Sequence, residues 1–284
     1  MIDSITSQPT DTAARAPPRA RARHNGDMLN THSYGPQTPD APTVLAVHGV
    51  TGHGARWRGI ADTELSGVRV LAPDLRGHGR SPWTPPWHLE QHVADLVGVL
   101  ERHAVTAAAP AVVIGHSLGG ALACRLAAAR PDLVRGVLLL DPAQGLSPEL
   151  CLNIAEQTIE HFDFTSPEEA RQDKKSGAWA RVTDAVLDAE IAEHLVRRDC
   201  GRWEWNISCA AVTGLWGELA RRPVGTPSTI ATIALRAGRA DFVTDAQLAT
   251  MPHAEVITVD SDHMVAQELP HVVGEYARRL VALS

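Results

Sequence analysis

Between residues 111 and 129 the chain passes from an all-apolar stretch, Ala111-Val112-Val113-Ile114, through Gly115-His116-Ser117-Leu118-Gly119-Gly120 into an alanine- and leucine-rich helical pattern. A strand that feeds a helix through so short a link must turn sharply. The serine at the turn is held in a strained backbone conformation with its hydroxyl exposed, and side chains two residues to either side would collide, so Gly115 and Gly119 answer a steric requirement. The helix that follows brings its partial positive N-terminus to the serine and offers the Leu118 N–H to an oxyanion formed there. This arrangement reads Ser117 as a nucleophile and places it at the C-terminal edge of an α/β sheet.

The rest of the chain repeats the same rhythm. Thr43–Val47, Val68–Ala72, Ala111–Ile114 and Val134–Leu140 are nearly all apolar, as strands covered on both faces should be. Helical spacing separates them, notably His88–Arg102 with Val93, Leu96, Val97 and Leu100. Strand and helix in alternation imply a mostly parallel sheet flanked by helices. After Asp141 the rhythm stops. It resumes at Ile230–Leu235, followed by a helix near 245–250, a strand at Glu255–Val259 and a final helix from about Glu268. Residues 27–144 and 228–284 are therefore expected to form the core, and 145–227 a cap. The cap reads as helical, at Leu150–Glu160, Glu168–Lys175 and Val182–Arg197, with an aromatic patch at Trp203 and Trp205 and no strand. Residues 1–26 hold almost no large apolar side chain and are expected to form a disordered tail.

Composition narrows the function classes. The 26 basic and 33 acidic residues, net charge -7, are mixed along the chain, so no basic stripe exists to follow a phosphate backbone, and nucleic acid is not an expected partner. No run approaches the roughly 20 apolar residues of a membrane span, and the first 26 residues do not resemble a secretory signal. Cys124, Cys151, Cys200 and Cys209 lack metal-site spacing; His88 and His92 share a helix face without a third ligand. A reducing cytoplasm is the expected compartment, with a Cys200–Cys209 bridge left open.

A serine needs a base to take its proton and an acid to hold that base in the correct tautomer. Of 14 histidines, His263 follows the last strand in the loop Asp260-Ser261-Asp262-His263, from which it can reach across the sheet edge. Asp241 and Asp141 each end a strand and each satisfy the order Ser, Asp, His. Asp241 is favoured because its strand is the nearer in sequence to the one carrying His263; Asp141 would otherwise cap a turn. The turn His48-Gly49-Val50-Thr51-Gly52 closes the first strand and can bring a second oxyanion donor, the Val50 N–H, to join Leu118. His48 and Trp57, with Trp203 and Trp205 from the cap, are expected to line the substrate pocket.

These points together resemble the α/β-hydrolase superfamily from about residue 29 onward. The likeness is specific at His48-Gly49 with Gly52, at Asp74-Leu75-Arg76-Gly77-His78-Gly79-Arg80-Ser81, at Gly115 to Gly120, at Gly238 to Asp241 and at Asp262-His263. Asp262 departs from the glycine frequent there in relatives. The resemblance implies an eight-stranded-type α/β-hydrolase sheet with a cap insertion, a Ser117–His263–Asp241 triad and no metal or organic cofactor. Dehalogenases and epoxide hydrolases of this kind carry aspartate where this chain has Ser117. The leading expectation is cleavage of a carboxylic ester or related acyl compound through an acyl-enzyme, with a small, mostly apolar substrate. C–C bond hydrolysis, cofactor-free haloperoxidase chemistry with the same triad, and a noncatalytic ligand receptor remain open alternatives.

Overall fold

The computed structural model describes residues 28–38 and 40–283; the tail expected at residues 1–26 lies outside them. In chain order the elements are β1 (Thr31–Tyr34), β2 (Thr43–Val47), α1 (Arg58–Thr63), β3 (Arg69–Pro73), α2 (Leu89–Arg102), β4 (Ala111–His116), α3 (Leu118–Ala129) and β5 (Val134–Leu140). An insert follows with α4 (Pro148–Glu160), β6 (Asp163–Phe164), α5 (Pro167–Ser176), α6 (Asp184–His194), β7 (Leu195–Arg197), β8 (Trp203–Trp205) and α7 (Cys209–Leu219). The chain then returns through β9 (Ala231–Ala237), α8 (Asp245–Ala249), β10 (Glu255–Val259), α9 (Val265–Glu268) and α10 (Pro270–Val281).

The main sheet has seven strands in the order β1-β3-β2-β4-β5-β9-β10. Only β1 runs antiparallel, against β3. The six apolar runs read from the sequence are β2, β3, β4, β5, β9 and β10, and the sheet is one strand short of the eight expected among the described residues. β1, Thr-His-Ser-Tyr, escapes a search for apolar runs because it is a half-exposed edge.

Period-two alternation divides the core in two. Leu45, Val47, Val113, Val137 and Leu139 face α2 and α3, and Val44, Ala46, Val112, Ile114 and Leu138 face α1 and α10. Each central strand is buried on both sides, which explains why the sequence shows continuous apolar runs there.

The insert is not purely helical. β6, β8 and β7 form a small antiparallel sheet, and the helix expected to run to Arg197 ends at His194, where β7 begins. Strands of two or three residues are too short to display a period. The insert is fastened to the core by backbone bonds, Gly79 N–H to the Asn206 carbonyl (2.8 Å) and Ser208 N–H to the Gly77 carbonyl (2.7 Å). A buried ion cluster adds a second tie. Glu190 on α6 accepts from Arg56 Nε (2.9 Å) and Nη2 (2.5 Å) and from His53 Nε2 (2.9 Å), with Lys174 Nζ 3.5 Å away. Cys200 and Cys209 are both free thiols. His92 is fully buried on α2 rather than solvated, whereas His88 caps that helix by accepting from the Gln91 N–H. Among the described residues no helix is long and apolar enough to cross a membrane.

Removing one member of a buried ion cluster strands the others without a counter-charge. Glu190→Ala is therefore expected to lower the unfolding free energy by about 3–5 kcal/mol. Urea denaturation checks this, and a loss below about 1 kcal/mol, the level of an exposed pair, would refute it.

Candidate active site

Ser117 stands between β4 and α3 with φ 55° and ψ -118°, a left-handed conformation that a residue with a side chain occupies at a cost. What compels it is the close approach of α3 to two strand ends. A Cβ on Gly115 would lie 2.3 Å from the Gly119 carbonyl oxygen, and one on Gly119 would lie 2.2 Å from the Val47 carbonyl oxygen. Neither position tolerates a methyl group without moving backbone. The Ser117 N–H bonds the Leu140 carbonyl (3.1 Å) and the Ser117 carbonyl accepts from Ala143 N–H (3.1 Å), which ties the turn to the end of the neighbouring strand.

That strand carries the carboxylate that meets His263. β4 and β5 pair with His116 opposite Leu140, so the next residues, Ser117 and Asp141, leave the sheet side by side. Asp141 is fully buried and also has positive φ, 40°. One carboxylate oxygen accepts from the Ala237 N–H (3.1 Å); the other accepts from His263 Nδ1 (2.6 Å). The carboxylate that orients His263 thus belongs to Asp141, not to Asp241. Asp241 is exposed in the loop after β9. That loop supports the histidine through its backbone instead: Gly238 N–H bonds the Val259 carbonyl (2.8 Å) and Arg239 N–H the Ser261 carbonyl (3.1 Å). Phe242, beside Asp241, packs on the His263 ring with centroids 4.2 Å apart.

Sequence reasoning passed over His116. Its Nε2 donates to the His263 carbonyl (2.8 Å), and the two rings lie 4.7 Å apart, so the residue before Ser117 fixes the backbone of His263. Burial, and then the neighbouring His263, hold the His116 pKa well below the usual histidine range, so it serves as a neutral donor. The contact joins residues 147 apart in sequence, and no local pattern signals it. At Asp262 the N–H donates to Glu268 (3.2 Å), an anchor at the C-terminal end of α9.

The turn after β2 is held from behind. His48 donates through Nδ1 to the Gly49 carbonyl (2.7 Å) and accepts from the Leu75 N–H at Nε2 (2.9 Å), which specifies its tautomer. His78 donates to the Val50 carbonyl (2.5 Å), and Arg56 Nη2 to the Thr51 carbonyl (2.9 Å). Three successive carbonyls are drawn to donors, which sets the peptide planes between them. Burial, and then the facing His78, keep His48 neutral. The turn lies against Ser117: a Cβ on Gly49 would be 3.0 Å from the Ser117 Cβ. Leu118 is the first residue of α3, so its N–H has no acceptor within the helix.

Ser117, His263, Val50 and Thr51 open on a cavity of about 440 Å³. Its far walls come from the insert, chiefly Ile154, Phe162, Trp179, Trp205 and Trp216. Trp205 lines it as expected from the sequence, and Trp203 does not, because it lies two residues farther along β8, opposite Phe164 and Arg197. His48 is excluded by its place behind the turn. Trp57 is buried on the opposite side of the sheet, among Val44, Ala46 and Ile60. Two cations complete the lining, Arg56 and Lys174. The Lys174 ammonium sits over the rings of Trp179 (4.6 Å) and Trp205 (4.0 Å), and burial lowers its pKa to about 8. Burial alone would raise Glu190, but Arg56, Lys174 and His53 hold its carboxyl well below the ordinary range.

A serine at a sharp strand-to-helix turn, a buried Asp–His pair and a restrained loop beside them define a class, and the sequence as a whole agrees: the chain belongs to the alpha/beta hydrolase family, whose profile matches residues 44–276. It is similar to Lipase LipV of Mycobacterium tuberculosis, 42% identical over 257 residues that cover 88% of this chain and 96% of that protein. A mouse relative, sn-1-specific diacylglycerol lipase ABHD11, is 26% identical over 267 residues, 89% of this chain and 86% of its own. In fold the chain resembles a marine microorganism esterase, with a TM-score of 0.69 at 22% identity, covering 89% of this chain and 99% of that one. The chain is a hydrolase of the carboxylesterase and lipase type.

The carboxylate assignment has a direct chemical readout. Asp141→Asn is expected to slow covalent labelling of Ser117 by a fluorophosphonate by orders of magnitude, since the amide would favour the wrong imidazole tautomer, and Asp241→Asn to change it less than about threefold. Equal losses in the two variants would contradict the geometry.

Proposed function

We propose that the chain hydrolyses carboxylic esters through an acyl-enzyme on Ser117. His263 Nε2 takes the Ser117 proton as Oγ attacks the ester carbonyl, and Asp141 holds His263 with its proton on Nδ1 and stabilises the imidazolium that forms. The N–H groups of Leu118 and Val50 receive the oxyanion. His263 returns the proton to the departing alcohol. Water then enters, loses a proton to His263 and attacks the acyl carbon, and collapse of the second tetrahedral intermediate frees the acid and restores Ser117. The observation that carries this reading is the 2.6 Å contact of His263 Nδ1 with a buried carboxylate beside a strained serine on the same cavity.

The insert, residues 145–227, acts as the cap that roofs the reacting atoms. Its aromatic walls favour a small substrate whose body is mostly apolar, and they limit its length. The relatives named a lipase and a diacylglycerol lipase support an ester as the bond cleaved.

A series of p-nitrophenyl esters of increasing acyl length tests the reading. Turnover is expected to rise to a maximum at short or medium length and then fall as the chain exceeds the roofed cavity. Ser117→Ala is expected to remove turnover by about five to six orders of magnitude and to abolish fluorophosphonate labelling. Unlabelled Ser117 together with tight binding of an intact ester would instead identify a receptor.

A further inference from the structure

The ion cluster at the cavity wall is unevenly satisfied. Glu190 receives Arg56 and His53 at 2.9 Å or closer, but Lys174 remains 3.5 Å from it. The aromatic faces of Trp179 and Trp205 stabilise the Lys174 charge without accepting all of its three donors. The nearby histidine on α6, His194, is kept neutral by burial and by His53, so it adds no cation. Within the wall two cations, the guanidinium of Arg56 and the ammonium that Lys174 carries below about pH 8, thus share the Glu190 carboxylate. Asp173, the neighbour of Lys174 in the chain, also lines the cavity; it is an exposed residue whose carboxyl is raised by partial burial, and its charge acts on Lys174 without a hydrogen bond to it. An ammonium in an apolar wall whose nearest carboxylate oxygen is 3.5 Å away keeps donors that an incoming anion can satisfy.

Resting on the ester-hydrolase reading, we propose that Lys174 seats a carboxylate carried by the substrate, so that the preferred esters have a mostly apolar body and one terminal anionic group. The Trp179 and Trp205 rings flank the chain that leads to it, and Arg56, whose Nε and Nη2 are engaged by Glu190 and Thr51, reinforces the local positive field. Lys174 acts in recognition, apart from proton transfer at Ser117.

The test compares matched ester pairs of equal length. One pair places the carboxylate on the acyl side, a mono-p-nitrophenyl ester of a dicarboxylic acid against its uncharged analogue. The other places it on the alcohol side. The expected result is a kcat/KM ratio of charged to neutral ester of about tenfold or more in at least one pair, as one hydrogen-bonded ion pair in an apolar site supplies. That ratio should collapse toward one in Lys174→Met and be retained in Lys174→Arg. It should also fade as pH rises through about 8, where the amine loses its proton. Ratios at or below one in both pairs, or a preference that survives in Lys174→Met, would overturn the assignment. Calorimetric binding of the same esters to Ser117→Ala reads recognition without turnover. Absent hydrolysis in the intact chain therefore counts against the ester-hydrolase reading, and equal binding of charged and neutral esters counts against the role of Lys174.

Discussion

Asp141 carries the arrangement of the site because sheet register and hydrogen bonding meet there. β4 and β5 are aligned so that Ser117 and Asp141 leave adjacent strands at the same level, and both adopt positive φ as they do so. The carboxylate then has two donors, the Ala237 backbone on β9 and the His263 ring from beyond β10. A loop that must cross the end of β9 is thereby pinned at its far end, and the strand it crosses supports it through Gly238 and Arg239. Buried carboxylates are tolerable when hydrogen-bonded, and this one is bonded to both the sheet and His263.

The other half of the site depends on a different set of restraints. Carbonyls of Gly49, Val50 and Thr51 are each bound by a side chain behind the turn, two of them buried histidines. In the proposed reaction such fixed backbone donors would meet the developing charge without reorganising. The third side chain, Arg56, joins that turn to Glu190 on the insert, so one guanidinium links the roof of the cavity to the loop beside Ser117. The insert thus shapes the cavity and shares a charged contact with its floor.

How much of this could be read beforehand follows from the range of each interaction. The six apolar strands, α2 and α3 were legible because their periods are local, and the elbow was legible because sterics demand glycines at fixed offsets from a serine. β1 and the three short strands of the insert were not, since neither an exposed edge nor a two-residue strand displays a period. Trp57 and Trp203 were plausible pocket walls by type and neighbourhood. The side of the sheet to which Trp57 turned, and the distance of Trp203 along β8, lay outside what type can convey.

The amino-acid sequence by itself carried the α/β alternation, the place where that rhythm is interrupted and the turn at Ser117, because apolar periods and the glycines flanking a serine are patterns local to the chain. Tertiary structure alone decided that Asp141 rather than Asp241 meets His263, that His116 holds the histidine backbone and that Lys174 enters the cavity wall. Strand order in the sheet is not strand order in the chain: β9, distant in sequence from β5, pairs directly with it, and a histidine loop that crosses β9 finds the acid on the strand beyond. Proximity in sequence favoured the wrong carboxylate for that reason.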